Sequence, residues 1–287
     1  MPASSSSTGS SKRLLLVGGP EDAQLAAALY DAGFRAAEID ASSEPRPVTA
    51  DRLVDAVAGM RADQHVLGAA VTRPYTVAVA RLLDGLGPEA QVVRAVNTIS
   101  HRAGALIGWN TDRSAFLQAL DEADFQPKGR TALVLGAGGA ARASVDALRG
   151  AAAAKIWVSS SDLDEARAVC RDLEVTAGGP TPLGSLSLVA RKVDLIVNAT
   201  PVGSDGETVL FPVDWINPAQ FVFDLIYQPA LTPLVRGARD RGARAINGLT
   251  MLLFQALAAF EIWTGEPPPE AAMRAALERA VVGRLSV

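Results

Sequence analysis

One stretch constrains this chain more than any other: Thr131-Ala132-Leu133-Val134-Leu135-Gly136-Ala137-Gly138-Gly139-Ala140-Ala141-Arg142. A short apolar run of strand character enters a G-x-G-x-x-A turn, and the turn opens a helix-like segment over 140–149. Each small residue has a physical task. Gly136 permits the tight turn. Gly138 removes the Cβ that would hold a diphosphate away from the backbone. Ala141 lets the helix close on the strand. The start of the helix adds free N–H groups and the positive end of a dipole. A glycine triplet alone marks only a tight turn; a strand before it and a helix after it make a dinucleotide-binding turn. Gly136, Ala137, Gly138, Gly139 and Ala140 are therefore the candidate coenzyme contacts.

In such a unit the residue that reads the adenosine ribose stands at the tip of the next strand, about 20 residues on. Here that strand is Lys155-Ile156-Trp157-Val158, followed by Ser159-Ser160-Ser161-Asp162. No arginine is present to grip a 2′-phosphate, and the acid arrives late. Asp162 can bond ribose hydroxyls, which favours NAD, or cap the helix over 163–173. The serine hydroxyls can still accept NADP, less firmly than a guanidinium would.

The same alternation runs through the rest of the chain. Apolar runs at Leu14–Val17, Val66–Val71, Asp194–Val197 and Gln220–Leu225 are separated by amphipathic segments such as 21–32, 50–62 and 161–173. Strands that are apolar throughout, alternating with helices, predict βαβ units and parallel sheets covered on both faces. The run Phe125-Gln126-Pro127-Lys128-Gly129-Arg130 is a boundary signal, preceded by a joining helix over 111–122. After Asn247-Gly248 the pattern gives a long apolar helix over 249–264 and a last helix over 270–282. The expected fold class is α/β with two domains. Residues 12–112, completed by 248–287, form an α/β domain with a mainly parallel sheet; residues 125–245 form a Rossmann-type NAD(P)-binding domain. Residues 1–11 are Ser-rich and read as a disordered tail.

Composition narrows the function. Acidic residues number 31 against 27 basic ones, net −4, so no surplus of cations is available for nucleic acid. The single cysteine, Cys170, and two histidines argue against a disulfide framework and against a metal site. The longest apolar stretch, 249–262, is interrupted by Gln255 and Glu261 and is too short to span a bilayer. The expectation is a cytoplasmic protein, monomer or homodimer, whose partner is a small molecule.

Six short segments, in order, coincide with one family. They are Ala95-Val96-Asn97-Thr98-Ile99, Gly108-Trp109-Asn110-Thr111-Asp112, Gly136–Arg142, Asn198-Ala199-Thr200-Pro201-Val202-Gly203, Asp224-Leu225-Ile226-Tyr227-Gln228-Pro229, and Asn247–Gln255. On these the chain resembles the shikimate dehydrogenases, NADP-linked enzymes that interconvert shikimate and 3-dehydroshikimate. The resemblance implies an active site in the cleft between two domains. It implies that Thr72, Asn97, Asp112, Tyr227 and Gln255 bind the substrate, with Asp112 catalytic. It implies that Asn198, Ala199, Thr200 and Gly248 run along the nicotinamide side of the coenzyme, NADP in the family, with NAD not excluded here. Without the resemblance, Asn97 and Thr111 read as caps, Asp112 as a partner of a helix dipole, Gln255 as a buried amide and Tyr227 as a packing residue; Arg142 reads as a first-turn surface residue or a contact to a coenzyme phosphate.

Two departures fall in the substrate half. The family carries Asn-Val-Thr, an apolar residue, Pro, an aromatic or His, then a catalytic Lys. This chain has Ala70-Val71-Thr72-Arg73-Pro74-Tyr75-Thr76, so a threonine stands where the lysine is. The family's Ser-x-Ser-Pro loop is replaced by Gly18-Gly19-Pro20-Glu21-Asp22. Arg73 offers a compensating cation for a carboxylate, and Tyr75 a local hydroxyl. Two readings follow: an oxidoreductase on shikimate or a related cyclic polyol with an altered proton route, or a dinucleotide- and small-ligand-binding protein without dehydrogenase activity.

Overall fold

The computed structural model describes residues 11–18 and 20–285. The Ser-rich stretch through residue 10 and Gly19 lie outside the described residues, as do the side chains of Glu21 and Asp22; Ser11 is exposed and outside any element. The described chain divides into two compact units. The first comprises the segments up to Leu86, Asn97–Gly108 and Ala259 onward; the second comprises Gly87–Val96 and Trp109–Ala258.

The first unit holds β1 (Lys12–Val17), β2 (Ala41–Arg46), β3 (Val66–Val71), β4 (Gly85–Leu86), β5 (Thr98–Arg102) and β6 (Ala105–Trp109) in the order β2-β1-β3-β5-β6-β4. β1 is parallel to both β2 and β3, as is β4 to β6; β5 runs antiparallel to β3. The central strands are those with unbroken apolar runs: Leu14, Leu15, Leu16 and Val17 are buried, as are Ala69, Ala70 and Val71. The helices of this unit are α1 (Pro20–Ala36), α2 (Leu53–Ala62) and α3 (Thr76–Val79), joined later by the chain's last helix.

The second unit begins with α4 (Pro88–Val93) and α5 (Asp112–Glu122). Its sheet comprises β7 (Thr131–Leu135), β8 (Lys155–Ser159), β9 (Gly178–Pro180), β10 (Leu195–Asn198), β11 (Phe221–Asp224) and β12 (Arg244–Ile246). Their order is β12-β11-β10-β7-β8-β9, and every neighbouring pair is parallel. The order reverses between β7 and β10, the topological switch point at which doubly wound sheets bind ligands beyond their carboxyl ends. Between the strands lie α6 (Gly139–Gly150), α7 (Leu163–Asp172), α8 (Leu186–Ala190) and α9 (Pro233–Asp240). Phe116 of α5 stacks on Phe223 of β11, with ring centroids 5.2 Å apart, at the centre of an apolar core on one face of the sheet. Leu133, Leu135, Ile196 and Val222 build a core on the other face with α8 and α9.

The apolar helix after Asn247-Gly248 forms as α10 (Leu249–Thr264), followed by α11 (Glu270–Leu285). The division between units falls inside α10, after Ala258, rather than ahead of it. Its far end belongs to the first unit: Trp263 donates its indole N–H to the Ile99 carbonyl at 2.8 Å, and Phe260 packs on Phe34 of α1.

Candidate functional site

The glycine turn takes the form its sequence dictates. Gly136 has φ +113, a backbone angle that side chains disfavour, and a Cβ there would stand 2.8 Å from the Ala199 carbonyl oxygen. Gly136 is therefore demanded by the protein itself. Gly138 is not. Its backbone is extended (φ −73, ψ −173), and a Cβ built on it meets nothing within 4 Å. Gly138 is exposed with open space where a Cβ would stand, so its backbone is accessible, which is the requirement of a diphosphate seated against it. Gly138 occupies the cap position of α6 without a side-chain cap, and no acidic residue stands in the first turn. The first N–H groups of an α-helix have no intrahelical acceptors, so those of Gly139 and Ala140 suit an anion. The residues present fit a dinucleotide.

This turn sits at the switch point. Ala199 N–H donates to the Leu135 carbonyl at 2.8 Å, which brings the end of β10 against the end of β7. Asn198 is fully buried, and its amide is spent internally. Its Nδ2 donates to the Val202 carbonyl (3.1 Å) and to Asp224 Oδ1 (2.9 Å), while its Oδ1 accepts from the Thr200 N–H (3.0 Å) and hydroxyl (2.7 Å). Asn198 thus shapes the turn that carries Ala199 and Thr200. Gly248 is fixed by packing: a Cβ would stand 2.1 Å from the Leu225 carbonyl oxygen.

Beyond the tip of β8, Asp162 takes the capping role that the sequence offered for it. Its carboxylate accepts the Asp164 N–H at 2.8 Å and caps α7. Ser160 donates its hydroxyl to Glu165 at 3.2 Å, and buried Ser159 Oγ has no hydrogen-bond partner. Ser161 is exposed.

Arg142 corrects the sequence reading. It is not a surface residue but 8% exposed, donating Nε–H to the Val93 carbonyl (2.6 Å) and Nη2–H to Asp172 (3.1 Å). Its Nε–H and one Nη2–H are thus committed within the unit. It also explains why Gly87–Val96 belongs to the second unit, where Arg94 pairs with the same Asp172 at 3.2 Å.

The substrate-side residues fall in both units. In the first, Asn97 and Thr72 are drawn together where β3 ends and β5 begins. The Val71 N–H donates to the Asn97 carbonyl at 2.7 Å, and Asn97 Oδ1 accepts the Thr98 hydroxyl at 2.9 Å. Asn97 precedes a strand, so the capping role does not apply to it. Thr72 N–H donates to the Val17 carbonyl at 2.9 Å, and Gly18 leaves room for its side chain. Thr76 is the first residue of α3. Tyr75 donates its hydroxyl to the Val48 carbonyl, which ties it to backbone, and Arg73 is exposed.

In the second unit, Asp112 is 7% exposed at the first position of α5, and its N–H donates to Asn110 Oδ1 at 3.1 Å. Asn110 in turn donates to the Ala95 carbonyl at 3.1 Å. Thr111, in the cap position, turns its hydroxyl instead to the Gln255 carbonyl at 3.1 Å. That bond ties the start of α5 to α10 at Gln255. Tyr227 follows Ile226, whose carbonyl accepts the Gly248 N–H at 3.0 Å, so Tyr227 lies near Gly248.

Sequence reasoning named Asp224 only as part of a motif and gave Thr232 no role. Asp224 is fully buried, with Oδ1 accepting from Asn198 and from the Ile226 N–H (3.1 Å) and Oδ2 from the Thr232 hydroxyl (2.7 Å). An acid ending an otherwise apolar strand was the available signal. Burial pushes its carboxyl up from 3.8 to about 6, against the pull of those donors. The unfolded chain therefore releases this proton first, so the group's contribution to stability is complete below pH 4 and is lost as pH rises through 6. About 3 kcal/mol is at stake. Measured by denaturant unfolding, Asp224→Asn is expected to gain about that much relative to the unsubstituted chain between pH 4 and pH 8. Parallel curves would refute the assignment. Other carboxylates cancel in the difference.

Among the described residues no helix is long and apolar enough to cross a membrane, and no group of three or more His, Cys, Asp or Glu is placed to hold a metal ion.

Comparison with known proteins agrees with this geometry. Residues 16–99 match the family model of the shikimate dehydrogenase substrate binding domain, and residues 248–278 that of the shikimate 5′-dehydrogenase C-terminal domain. A shikimate dehydrogenase (NADP(+)) of Citrifermentans bemidjiense is 40% identical over 287 residues, covering 97% of each chain. The shikimate 5-dehydrogenase of Thermus thermophilus, solved with NADP(H) and shikimate, superposes with a TM-score of 0.83 at 34% identity, over 94% of this chain and 99% of that one. A quinate dehydrogenase of Corynebacterium glutamicum, solved with NAD, gives a TM-score of 0.81 at 28% identity, over 93% and 98%.

Proposed function

Since this chain belongs to the shikimate dehydrogenase family, we propose that it is an NADP-dependent oxidoreductase that interconverts shikimate, or a closely related cyclic polyol, and its ketone. The observation that carries the reading is the 40% identity along 97% of the chain with an NADP(+)-linked shikimate dehydrogenase. The exposed backbone at Gly138, with open space where a Cβ would stand, supports the coenzyme reading. The same match favours an enzyme over a binding protein without activity.

When bound, the nicotinamide accepts or returns the hydride; the chain must bind, orient and manage the proton. Gly136, Ala137, Gly138, Gly139 and Ala140 hold the diphosphate through backbone. Ala199 and Thr200, shaped by Asn198, lie along the nicotinamide side, with Gly248. In the first unit Thr72 and Asn97 offer a hydroxyl and an amide to ring hydroxyls. In the second unit Asp112, Tyr227 and Gln255 are the residues that the family motifs assign to the substrate, and Asp112 is our candidate to share a proton with the reacting oxygen. Thr76 cannot share that work, because an alcohol has no usable pKa near neutrality.

The test is the rate of coenzyme reduction when the protein is mixed with shikimate or quinate and NADP+ or NAD+. Shikimate-dependent reduction of NADP+ is expected. No turnover with any pair, in this chain and in Thr76→Lys, would overturn the reading. The 2′-phosphate end has its own expectation. Exposed Ser161 stands at the strand tip with no cation beside it in sequence, so Ser161→Arg should lower KM for NADP+ about tenfold and leave that for NAD+ unchanged. An equal effect on both coenzymes would mean that the 2′-phosphate is read elsewhere.

A further inference from the structure

We propose that Asp224 is a positioning residue for the coenzyme: fully buried, it orients the Asn198 amide and thereby sets the turn from Asn198 to Gly203 against Gly136 at the switch point. The inference rests on the coenzyme reading above and names a residue that never touches the coenzyme.

Topology brings the pair together. Asn198 and Asp224 face each other in register at the carboxyl ends of β10 and β11, and both are 0% exposed. A carboxylate only accepts hydrogen bonds. It therefore admits one orientation of the Asn198 amide, with Nδ2–H toward Asp224 at 2.9 Å. The amide oxygen must then point the other way, where it accepts the Thr200 N–H at 3.0 Å and the Thr200 hydroxyl at 2.7 Å. With its proton committed, the Thr200 hydroxyl accepts the Val202 N–H at 3.1 Å. Nδ2 closes the turn on the Val202 carbonyl at 3.1 Å. The fixed turn carries the Ala199 carbonyl, whose oxygen would stand only 2.8 Å from a Cβ on Gly136. One oxygen of a buried acid thus sets the spacing between the nicotinamide-side turn and the diphosphate turn.

The other oxygen anchors the acid. Oδ2 accepts the Thr232 hydroxyl at 2.7 Å, and Thr232 caps α9 by accepting the Val235 N–H at 3.2 Å. A neutral amide at position 224 would fill the same space but would present a donor as well as an acceptor. Asn198 could then be satisfied in either flip, and only one flip supports Thr200. The charge selects a single arrangement, a service that buried ionic groups perform at a cost in stability.

The experiment measures calorimetric affinity for two ligands: NADP+ and adenosine 2′,5′-bisphosphate, which is the half of the coenzyme without the nicotinamide. Asp224→Asn should weaken NADP+ about tenfold, the equivalent of one hydrogen bond to a charged group, and leave the bisphosphate within about twofold. Thr232→Val should weaken NADP+ in the same selective way, and Thr232→Ser should restore it. Should Asp224→Asn fail to fold, the Thr232 pair decides alone. Unchanged NADP+ affinity in both Asp224→Asn and Thr232→Val would overturn the proposal. So would an equal loss for both ligands, which would mark general damage to the unit. If the unsubstituted chain binds neither ligand, the coenzyme reading itself fails, and this inference with it.

Discussion

Thr76→Lys is expected to raise turnover of shikimate with NADP+ by about 10²- to 10⁴-fold, the usual contribution of a general acid–base. Oxidising a secondary alcohol removes a hydride from carbon and a proton from oxygen, and only the hydride has an acceptor in the coenzyme. The proton needs a side chain with a usable pKa. Thr76 opens α3 directly after Tyr75, whose hydroxyl is committed to the Val48 carbonyl. An amine at the first position of a helix sits at the positive end of the dipole, which favours its neutral form and suits it to act as a base. The gain should appear in kcat, with KM for shikimate changing little, because a proton-transfer group acts mainly in the transition state. Thr76→Gln supplies comparable length without a titratable group and should show no gain. If Thr76→Lys fails to outpace Thr76→Gln, the proton leaves by another route and position 76 is not its gate.

The contrast between what the sequence disclosed and what it hid follows burial. The strands at 14–17, 66–71 and 131–135 were legible because both of their faces are covered, which forces an unbroken apolar run. Edge strands carry no such demand. β2 reads Ala-Ser-Ser-Glu-Pro-Arg, tolerates Pro45 because it pairs on one side only, and offers no apolar pattern. The step from β5 to β6 turns through Ala103 (φ +51) and Gly104 (φ +84), both in the left-handed region. The usual signal for such a turn is Asn-Gly, and alanine in the first place concealed it. Arg142 was misread for a different reason: its helix position was right, but the cover came from α4, 49 residues away in sequence. Among the candidate residues, Gly136 announced itself through the local turn it must make, and Gly138 through its place in the same short motif. Asp224 did not, because its partners Asn198 and Thr232 come from a neighbouring strand and a helix cap, and no spacing rule links them. The cap at Asp162 lay between, readable as a possibility and decided only by the bond to Asp164.

Gly138→Val is expected to leave the second unit folded and to weaken NADP+ by about 100-fold. The first half follows from the backbone. Gly138 has an extended conformation open to any residue, and a Cβ there meets no atom within 4 Å. Losing glycine at a helix cap costs a few tenths of a kcal/mol, offset by a stiffer unfolded chain, so stability should move by less than about 1 kcal/mol. The second half follows from the same open space. If the diphosphate seats against this backbone, a branched side chain occupies its place, and overpacking of about 3 kcal/mol corresponds to that loss of affinity. Gly136→Val gives the opposing pattern. There φ +113 and the nearby Ala199 carbonyl penalise the fold before any ligand arrives, so its melting temperature should fall together with its affinity. The pair of variants therefore separates a glycine kept for the chain from a glycine kept for its ligand. Calorimetric titration with NADP+ alongside thermal unfolding reads both effects. A Gly138→Val protein that melts normally and binds NADP+ normally would remove the diphosphate from this turn, and with it the physical basis for a coenzyme at the switch point.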